Sequence, residues 1–465
     1  MSVTAIPSAA AERPGALDRL LRPFAEVRGG EAVTALLLML NVFLLLTSYY
    51  IIKTVREPLI LAGGGAELKS YTAAGQAVLL LFLVPAYGAF ASRVDRVRLI
   101  TWVTLFFISN LVVFYLLAQA KTPFLGVAFF IWVGIFNLMI IAQFWSFAND
   151  VYTPEQGKRL FAIVAFGSSL GAILGAWIAK QLIKPIGVYQ LMLVAAGILA
   201  LCIVITRIVN ARETRARSPR AGLAPDVKAA EAPLGKEGGF QLVFRQRYLL
   251  LIALLMIVLN FVNTNGEYIL GKVVTGAAHD LVARGQNGTM DPDAWTKQYI
   301  GLFYADYFGW VNLLSALMQL FLASRILKWL GVRGALLMLP LIALGGYGLL
   351  AAAPVLGMVR IAKIFENSTD YSIQNTSRQA LFLPTSREAK YKAKAAIDSF
   401  FVRGGDLLST GLVFLGTQLA LGPRNFAVIN LGLVVLWLVI VALIGREHRR
   451  LTPETEQAPA PANRA

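Results

Sequence analysis

The sequence predicts an all-α polytopic membrane protein, with about twelve transmembrane helices in two six-helix bundles. Three observations carry that prediction. Of 465 residues, 57% are hydrophobic and only 15% charged, against about 25% charged in a soluble chain. Apolar stretches of bilayer-spanning length, roughly 20 residues, recur between positions 33 and 445. Lys and Arg gather in alternate loops, the positive-inside asymmetry of a membrane chain. Soluble enzymes, disordered chains and disulfide scaffolds are excluded. The single cysteine, Cys202, excludes a disulfide, a cysteine zinc site and an iron–sulfur cluster.

The expected spans are 33–53, 70–92, 98–118, 122–148, 160–182, 186–208, 248–271, 298–323, 333–353, 355–383, 394–420 and 424–444. Residues 1–32 have no apolar core before a small-residue cleavage site, so they read as a cytoplasmic segment and not a signal peptide. An N-terminal bundle is expected over 33–208 and a C-terminal one over 244–445. Between them, 209–243 is rich in Pro, Ala and charge with no apolar face, and reads as a flexible cytoplasmic linker. Residues 446–465 read as an unstructured cytoplasmic tail, and 276–297 as a polar insertion on the outer side.

The formal net charge is +17. A basic balance of that size can mark a nucleic-acid binder, but its distribution follows membrane orientation instead. Arg13, Arg19, Arg22 and Arg28 precede the first span, Arg93, Arg96 and Arg98 follow the second, and a dense block runs from Arg207 to Arg247. Both termini are then cytoplasmic and the span count is even. The expected setting is a plasma membrane, the inner one in a bacterium, with a monomeric chain, the lipid bilayer as its surroundings and no nucleic-acid partner.

The halves show weak internal symmetry. Ala91-Ser92-Arg93 after span two matches Ala323-Ser324-Arg325 after span eight, and Thr153-Pro154-Glu155 before span five matches Thr385-Ser386-Arg387 before span eleven. A short basic loop between spans two and three, repeated between eight and nine, is typical of the major facilitator architecture. Its substrate site lies near the midplane between the halves.

Charges inside spans are the informative residues, because each costs at least ~2.5–3.5 kcal/mol at a helix centre. Tyr49, Lys53 and Arg56 fall on one stripe at the end of span one, followed by Glu57 and Pro58, which weakens the helix. Such a stripe suits a phosphate-bearing anion; snorkelling to the interface is the alternative. In span seven, Asn260, Asn263 and Glu267 share a face; Glu267 suits substrate binding, proton coupling or a structural ion pair. In span ten, Arg360, Lys363, Asn367, Asp370, Gln374 and Arg378 make one whole face polar. That face must line an aqueous cavity or pair internally, unless the helix lies on the membrane surface. Lys394 and Asp398 are i, i+4 neighbours opening span eleven, and Arg403 and Asp406 are i, i+3 partners further in. These pairs, with Glu57 and Asp370, are the candidate coupling or ion-pair groups. Gly167, Gly171 and Gly175 in span five suit close helix packing.

No P-loop is present to hydrolyse ATP, and with histidines only at 279 and 448 no metal site or Ser-His-acid set can be assembled. The chain reads as neither an enzyme nor a cofactor protein. Transport would draw on an exchange gradient or coupled protons.

Several of these clusters resemble motifs of the ATP/ADP (NTP/NDP) translocase family of intracellular bacteria and plastids. Tyr49-Tyr50-Ile51-Ile52-Lys53-Thr54-Val55-Arg56-Glu57 is similar to its Tyr-x-Ile-Leu-Arg-x-x-Lys-Asp motif. Phe144-Trp145-Ser146-Phe147-Ala148-Asn149 resembles its Phe-Trp-Gly-Phe-Ala-Asn signature, and Asn260 to Glu267 its Asn-x-x-x-Asn-x-x-Glu element. Tyr371-Ser372 through Arg378, and Lys392-Ala393-Lys394-Ala395-Ala396-Ile397-Asp398, resemble two further motifs. The resemblance implies exchange of nucleotides, with Arg56, Lys394 and Arg378 on phosphate oxygens, Lys53 and Tyr49 in support, Asn149 and Asn263 as further substrate-binding positions, and Glu267 as a functional carboxylate. The chain departs from the family in span four, where Asn137 stands nearest the family's carboxylate, and in span ten, where Asn375 and Arg378-Gln379 replace an Asp and a Lys-Glu pair. The leading expectation is a secondary transporter of nucleotides or related phosphorylated anions. A proton-coupled carrier of another organic anion and a non-transporting membrane scaffold or sensor are the alternatives.

Overall fold

The computed structural model describes residues 31–91, 96–217 and 238–451. The N-terminal segment up to residue 30, the Ser92-Arg93 part of the repeated loop motif, linker residues 218–237 and the tail from 452 lie outside the described residues.

Among the described residues all regular structure is helical. The stretch Glu31–Ala91 breaks at Gly65, whose φ is 70°, into α1 (31–64) and α2 (66–91). Then follow α3 (Arg96–Gln119), α4 (Leu125–Val151), α5 (Pro154–Ile186), α6 (Leu191–Arg217), α7 (Arg247–Ala283), α8 (Pro292–Phe321) and α9 (Ala323–Ala352). The last are α10 (356–381), α11 (387–418) and α12 (Pro423–Leu451), and a short helix, Gly239–Arg245, precedes α7. Twelve long helical segments are thus present where twelve spans are expected. Among the described residues, eight helical stretches, counting α1 and most of α2 as one, are long and apolar enough to cross a membrane. The long helices outside that set are α8, α10 and α11, which carry Asp306, the polar face 360–378 and the charges of 390–406.

Helix ends differ from the expectations for local reasons. Pro58 does not end α1: it removes one amide donor, and the turn instead falls in Gly63-Gly64-Gly65, where a glycine takes the positive φ. The helix α6 runs on to Arg217, nine residues into the expected linker, through Ala, Arg and Glu, which are strong helix formers. Thr34 Oγ1 holds this extension by donating to Glu213 Oε1 at 2.8 Å. Likewise α7 extends to Ala283 and α8 starts at Pro292, capped by the Asp291 side chain accepting from the Ala294 amide. The expected polar insertion 276–297 is therefore mostly helix. The helix α12 continues to Leu451, so the first residues of the expected tail are helical too.

Two compact units make up the chain, and neither follows chain order. One comprises Met1–Lys53, Phe90–Lys121 and Ile135–Asp226. In it α3 packs on α6, and α5 meets α1 so closely that a Cβ on Gly167, Gly171 or Gly175 would strike the carbonyl oxygens of Met39, Phe43 and Thr47 in turn. The small-residue spacing thus serves backbone approach. Phe144 and Trp145 meet edge to face, and Trp145 packs on Phe161, joining α4 to α5. The other unit comprises Thr54–Ala89, Thr122–Gly134 and Val227–Ala465. Here α7 packs on α11 and α12, α12 on α9, and α10 lies against α8 and α9. Its core holds Trp437, Tyr304, Tyr307, Tyr347 and Phe426, all fully buried.

The helix α10 decides the environment of this second unit. Lys363, Glu366, Asn367 and Gln374 are buried, while Met358, Ile361, Phe365 and Tyr371 are exposed. A helix lying on the membrane surface would keep its polar face in water, and here that face is buried in protein, so the surface-helix alternative falls. A polar face inside and an apolar face outside is the arrangement a lipid solvent imposes.

Candidate functional site

Residues from four helical segments of the second unit meet in one chain of charges. Glu57, near the end of α1, is fully buried and accepts from Arg56 Nε at 3.0 Å. Lys69, four residues past the Gly65 turn, places Nζ 2.7 Å from Glu57 Oε2 and 4.0 Å from Glu267 Oε2 on α7. Glu267 Oε1 lies 3.6 Å from Lys363 Nζ on α10, and Lys363 is 3.1 Å from Glu366 Oε1. The order is Arg56, Glu57, Lys69, Glu267, Lys363, Glu366. Sign alternates at every step, and three cations balance three carboxylates.

Neutral groups hold five of the six members. Lys363 Nζ donates to Asn263 Oδ1 at 2.8 Å. Asn367 Nδ2 donates to Glu267 Oε1 at 2.9 Å and to the Tyr307 hydroxyl at 2.7 Å. The Tyr347 hydroxyl donates to Glu366 Oε2 at 3.0 Å. Lys69 Nζ stands 5.2 Å from the Tyr304 ring centre, and the Arg56 guanidinium 4.5 Å from that of Phe130, both within cation–π reach. Gly266 makes room for the set: a Cβ there would collide with the Tyr347 hydroxyl and come within 2.9 Å of Lys363 Nζ. A second rung lies beyond the Gly65 turn, where Lys272 pairs with Glu67 and the Tyr268 hydroxyl donates to Glu67 at 3.0 Å.

Of the residues singled out from sequence, this constellation gathers Arg56, Glu57, Asn263 and Glu267, together with Lys363 and Asn367 of the span-ten face. Tyr49 stacks on Phe136 and Lys53 lies over the Tyr50 ring at 5.2 Å, both in the first unit. Asn149 is exposed at the end of α4. Asn260 is turned away and donates to its own helix at the Met256 carbonyl.

The expected phosphate cations fall at two levels. Arg378 is 15 positions beyond Lys363 on α10, roughly 22 Å along the axis at 1.5 Å per residue. It donates to Asn375 Oδ1 at 3.2 Å. Lys394 Nζ is 3.4 Å from Asp398, partly exposed. Arg403 is 3.3 Å from Asp406, whose other oxygen accepts from Thr264 at 2.7 Å and so ties α11 to α7. Asp370 differs from these paired groups: its Oδ1 is buried with no hydrogen-bond partner among the described residues, within a π-helical turn spanning Asp370–Gln374. Such turns concentrate at functional positions.

Sequence reasoning did not single out Lys69, Glu366, Asp306 or the three tyrosines. Asp306 had a usable signal, a carboxylate inside the apolar run Phe303 to Trp310, and it pairs with Arg360. Lys69 had none, because Gly63 to Thr72 reads like any polar connection.

Comparison with known proteins places this architecture. Residues 32–366 match the Major Facilitator Superfamily. The chain belongs to that superfamily. Residues 308–448 of this facilitator also match the TLC ATP/ADP transporter family, which meets the resemblance read from its motifs. Relatives include ADP,ATP carrier protein 1 of Chlamydia pneumoniae, 22% identical over 65% of this chain and 63% of that protein. ADP,ATP carrier protein 1 of Chlamydia muridarum is 23% identical over 71% of this chain and 66% of its own length. The facilitator chain thus spans a little under two thirds of these relatives. Among solved structures, a mutant of the nucleoside transporter NupG superposes with a TM-score of 0.60 at 12% identity, covering 88% of this chain and 99% of that one. The peptide transporter POT in complex with sulfate gives 0.60 at 12%, covering 93% and 98%. At that identity the likeness is one of fold.

Chemically, the balanced ladder of this facilitator has no surplus positive charge to offer. An anion could engage Arg56, Lys69 or Lys363 only by replacing carboxylates as their partners.

Proposed function

We propose that the chain is a secondary transporter that exchanges or imports nucleotides of the ATP/ADP kind, or related phosphorylated anions, by alternating access. The observation that carries this reading is the internal cation set Arg56, Lys69 and Lys363, held in a lipid-adapted helix bundle. Cations inside such a bundle bear a large insertion cost, and a multiply charged anion is a ligand that can compete with the carboxylates for them. The match of residues 308–448 to the ATP/ADP transporter family supports the same substrate class. Both termini face the cytoplasm on this reading, so the ladder lies toward the outer end of the helices and Arg378 and Lys394 toward the inner end. The bundles follow chain order, 33–208 and 244–445, as functional halves.

The test is uptake of labelled ATP by the purified protein in liposomes loaded with ADP, with ATP or with nothing. Uptake stimulated by internal nucleotide, and abolished by Arg56→Ala in a protein that is still produced and inserted, supports the reading. Wild-type uptake in Arg56→Ala overturns the phosphate assignment.

A second reading rests on Asp370, a buried carboxylate oxygen without a partner, together with the Asn375 and Gln379 departures from the family motif. In that case the carrier couples anion uptake to protons. Uptake driven by a pH gradient into empty liposomes, and lost in Asp370→Asn, would favour it over exchange.

A further inference from the structure

We propose that Lys69 is a phosphate-binding residue and the moving part of an anion-operated latch between α2 and α7; this rests on the anion-exchange reading above. Lys69 is the ladder cation that joins α2 to α7, and it can leave without stranding either of its carboxylate partners. Its two carboxylate partners each keep another cation when it goes: Glu57 retains Arg56, and Glu267 retains Lys363 with the Asn367 amide. Loss of Lys363 would instead leave Glu366 with the Tyr347 hydroxyl.

The backbone around Lys69 suits movement. It follows Gly63-Gly64-Gly65, where Gly65 holds φ 70°, and is the ladder cation nearest to that turn in sequence. Once Lys69 is withdrawn, α2 is held to α7 by the rung Glu67–Lys272, by the Tyr268 hydroxyl on Glu67 and by the seating of Ala66 on Gly271. The two rungs have opposite polarity. On α2 the order is Glu67 then Lys69, and on α7 it is Glu267 then Lys272, so the pairs Lys69–Glu267 and Glu67–Lys272 fix one register. A phosphate oxygen that takes the Lys69 ammonium removes the inner rung. Opening is then conditional on an anion, which turns a facilitator into an exchanger.

The experiment uses two readouts on the full chain. The first is labelled ATP uptake into liposomes with and without internal ADP. The second is labelling of Ser70→Cys by a membrane-impermeant maleimide; Ser70 is buried, and the native Cys202 is buried too. With the latch intact, labelling is slow and ATP accelerates it. In Glu67→Gln with Lys272→Gln, labelling without ATP and uptake without internal ADP both rise, on the order of fivefold or more. The swap Glu67→Lys with Lys272→Glu restores the slow state. Lys69→Gln labels fast without ATP and loses the response to it, whereas Lys69→Arg keeps the response. Wild-type labelling and uptake in the double Gln variant, or an intact ATP response in Lys69→Gln, overturns the proposal. Fast labelling of the double variant with no nucleotide effect on the wild type keeps the latch and sinks the nucleotide reading. The reverse pattern, ordinary exchange with labelling indifferent to the double variant, keeps that reading and sinks the latch.

Discussion

Lys363 on α10 faces Glu267 on α7 with Nζ 3.6 Å from Oε1, and the same ammonium sits 3.1 Å from Glu366. One buried cation therefore faces two carboxylates, Glu366 buried and Glu267 partly buried. Removing a single member of such a group leaves an uncompensated charge, which costs about 3–5 kcal/mol, more than the intact pair contributes. Lys363→Met is expected to lower stability by that amount in detergent unfolding measurements. Adding Glu366→Gln to it should return part of the loss, because the residues share one network and their effects are not additive.

Gly266 sets the approach of α7 to the same lysine. The methyl group of Gly266→Ala would overlap the Tyr347 hydroxyl, which is fully buried and hydrogen-bonded to Glu366. The lysine end can shift, but the tyrosine ring is locked in the core. Overpacking of this kind costs about 1–3 kcal/mol. The expected result is a matching fall in stability, together with lost ATP uptake even where the protein remains folded at assay temperature. Unchanged unfolding would mean that Tyr347 can swing away.

How far the sequence reaches depends on whether a signal is local. Hydropathy together with the six-plus-six pattern located the twelve helices, and the three- and four-residue recurrence of Arg360, Lys363, Asn367 and Gln374 marked α10 as polar-faced; in the structure Lys363, Asn367 and Gln374 are buried. Ion partners within one turn, Lys394 with Asp398 and Arg403 with Asp406, were equally legible. The ladder was not. Lys69 meets Glu57 across the Gly65 turn and Glu267 across nearly two hundred residues, and no periodicity encodes such a pairing. The same limit explains why Arg56, Arg378 and Lys394 read as one phosphate set: motifs give residue types in order along the chain, whereas their distance apart is a property of the packed helices. Helix ends were misjudged where helix-forming charged residues, as in 211–217, carried α6 beyond its apolar part.

The contact of α5 with α1 offers a contrast between two glycines. A Cβ at Gly171 would strike the Phe43 carbonyl, backbone that cannot give way, whereas one at Gly197 on α6 meets nothing within 4 Å. Gly171→Ala is expected to destabilise by about 1–3 kcal/mol. Gly197→Ala should be neutral or raise stability by up to about 1 kcal/mol, since alanine favours the helix and restricts the unfolded chain. Thermal unfolding of the two variants side by side checks both signs.

The separation of the cations into two levels bears on sidedness. Arg378 and Lys394 stand some 22 Å of helix from the Lys363 level on α10, counted from Arg378, too far for one phosphate chain to engage both at once. On the proposed topology, with both termini cytoplasmic, an external nucleotide would meet the Arg56 and Lys69 level, and an internal one Arg378 and Lys394. Neutralising a residue at either level removes a charged hydrogen bond worth about 1.5–3 kcal/mol, a change of roughly tenfold or more in KM. Lys394→Gln and Arg378→Gln are therefore expected to raise KM for internal ADP by that factor while leaving KM for external ATP near wild type. Lys69→Gln should do the opposite. Raising the salt concentration should weaken entry at the inner level more, because Lys394 is partly exposed and Lys69 is buried. Liposomes with the protein in a known orientation separate the two KM values. Equal shifts on both faces for every variant would place all these cations in one chamber instead.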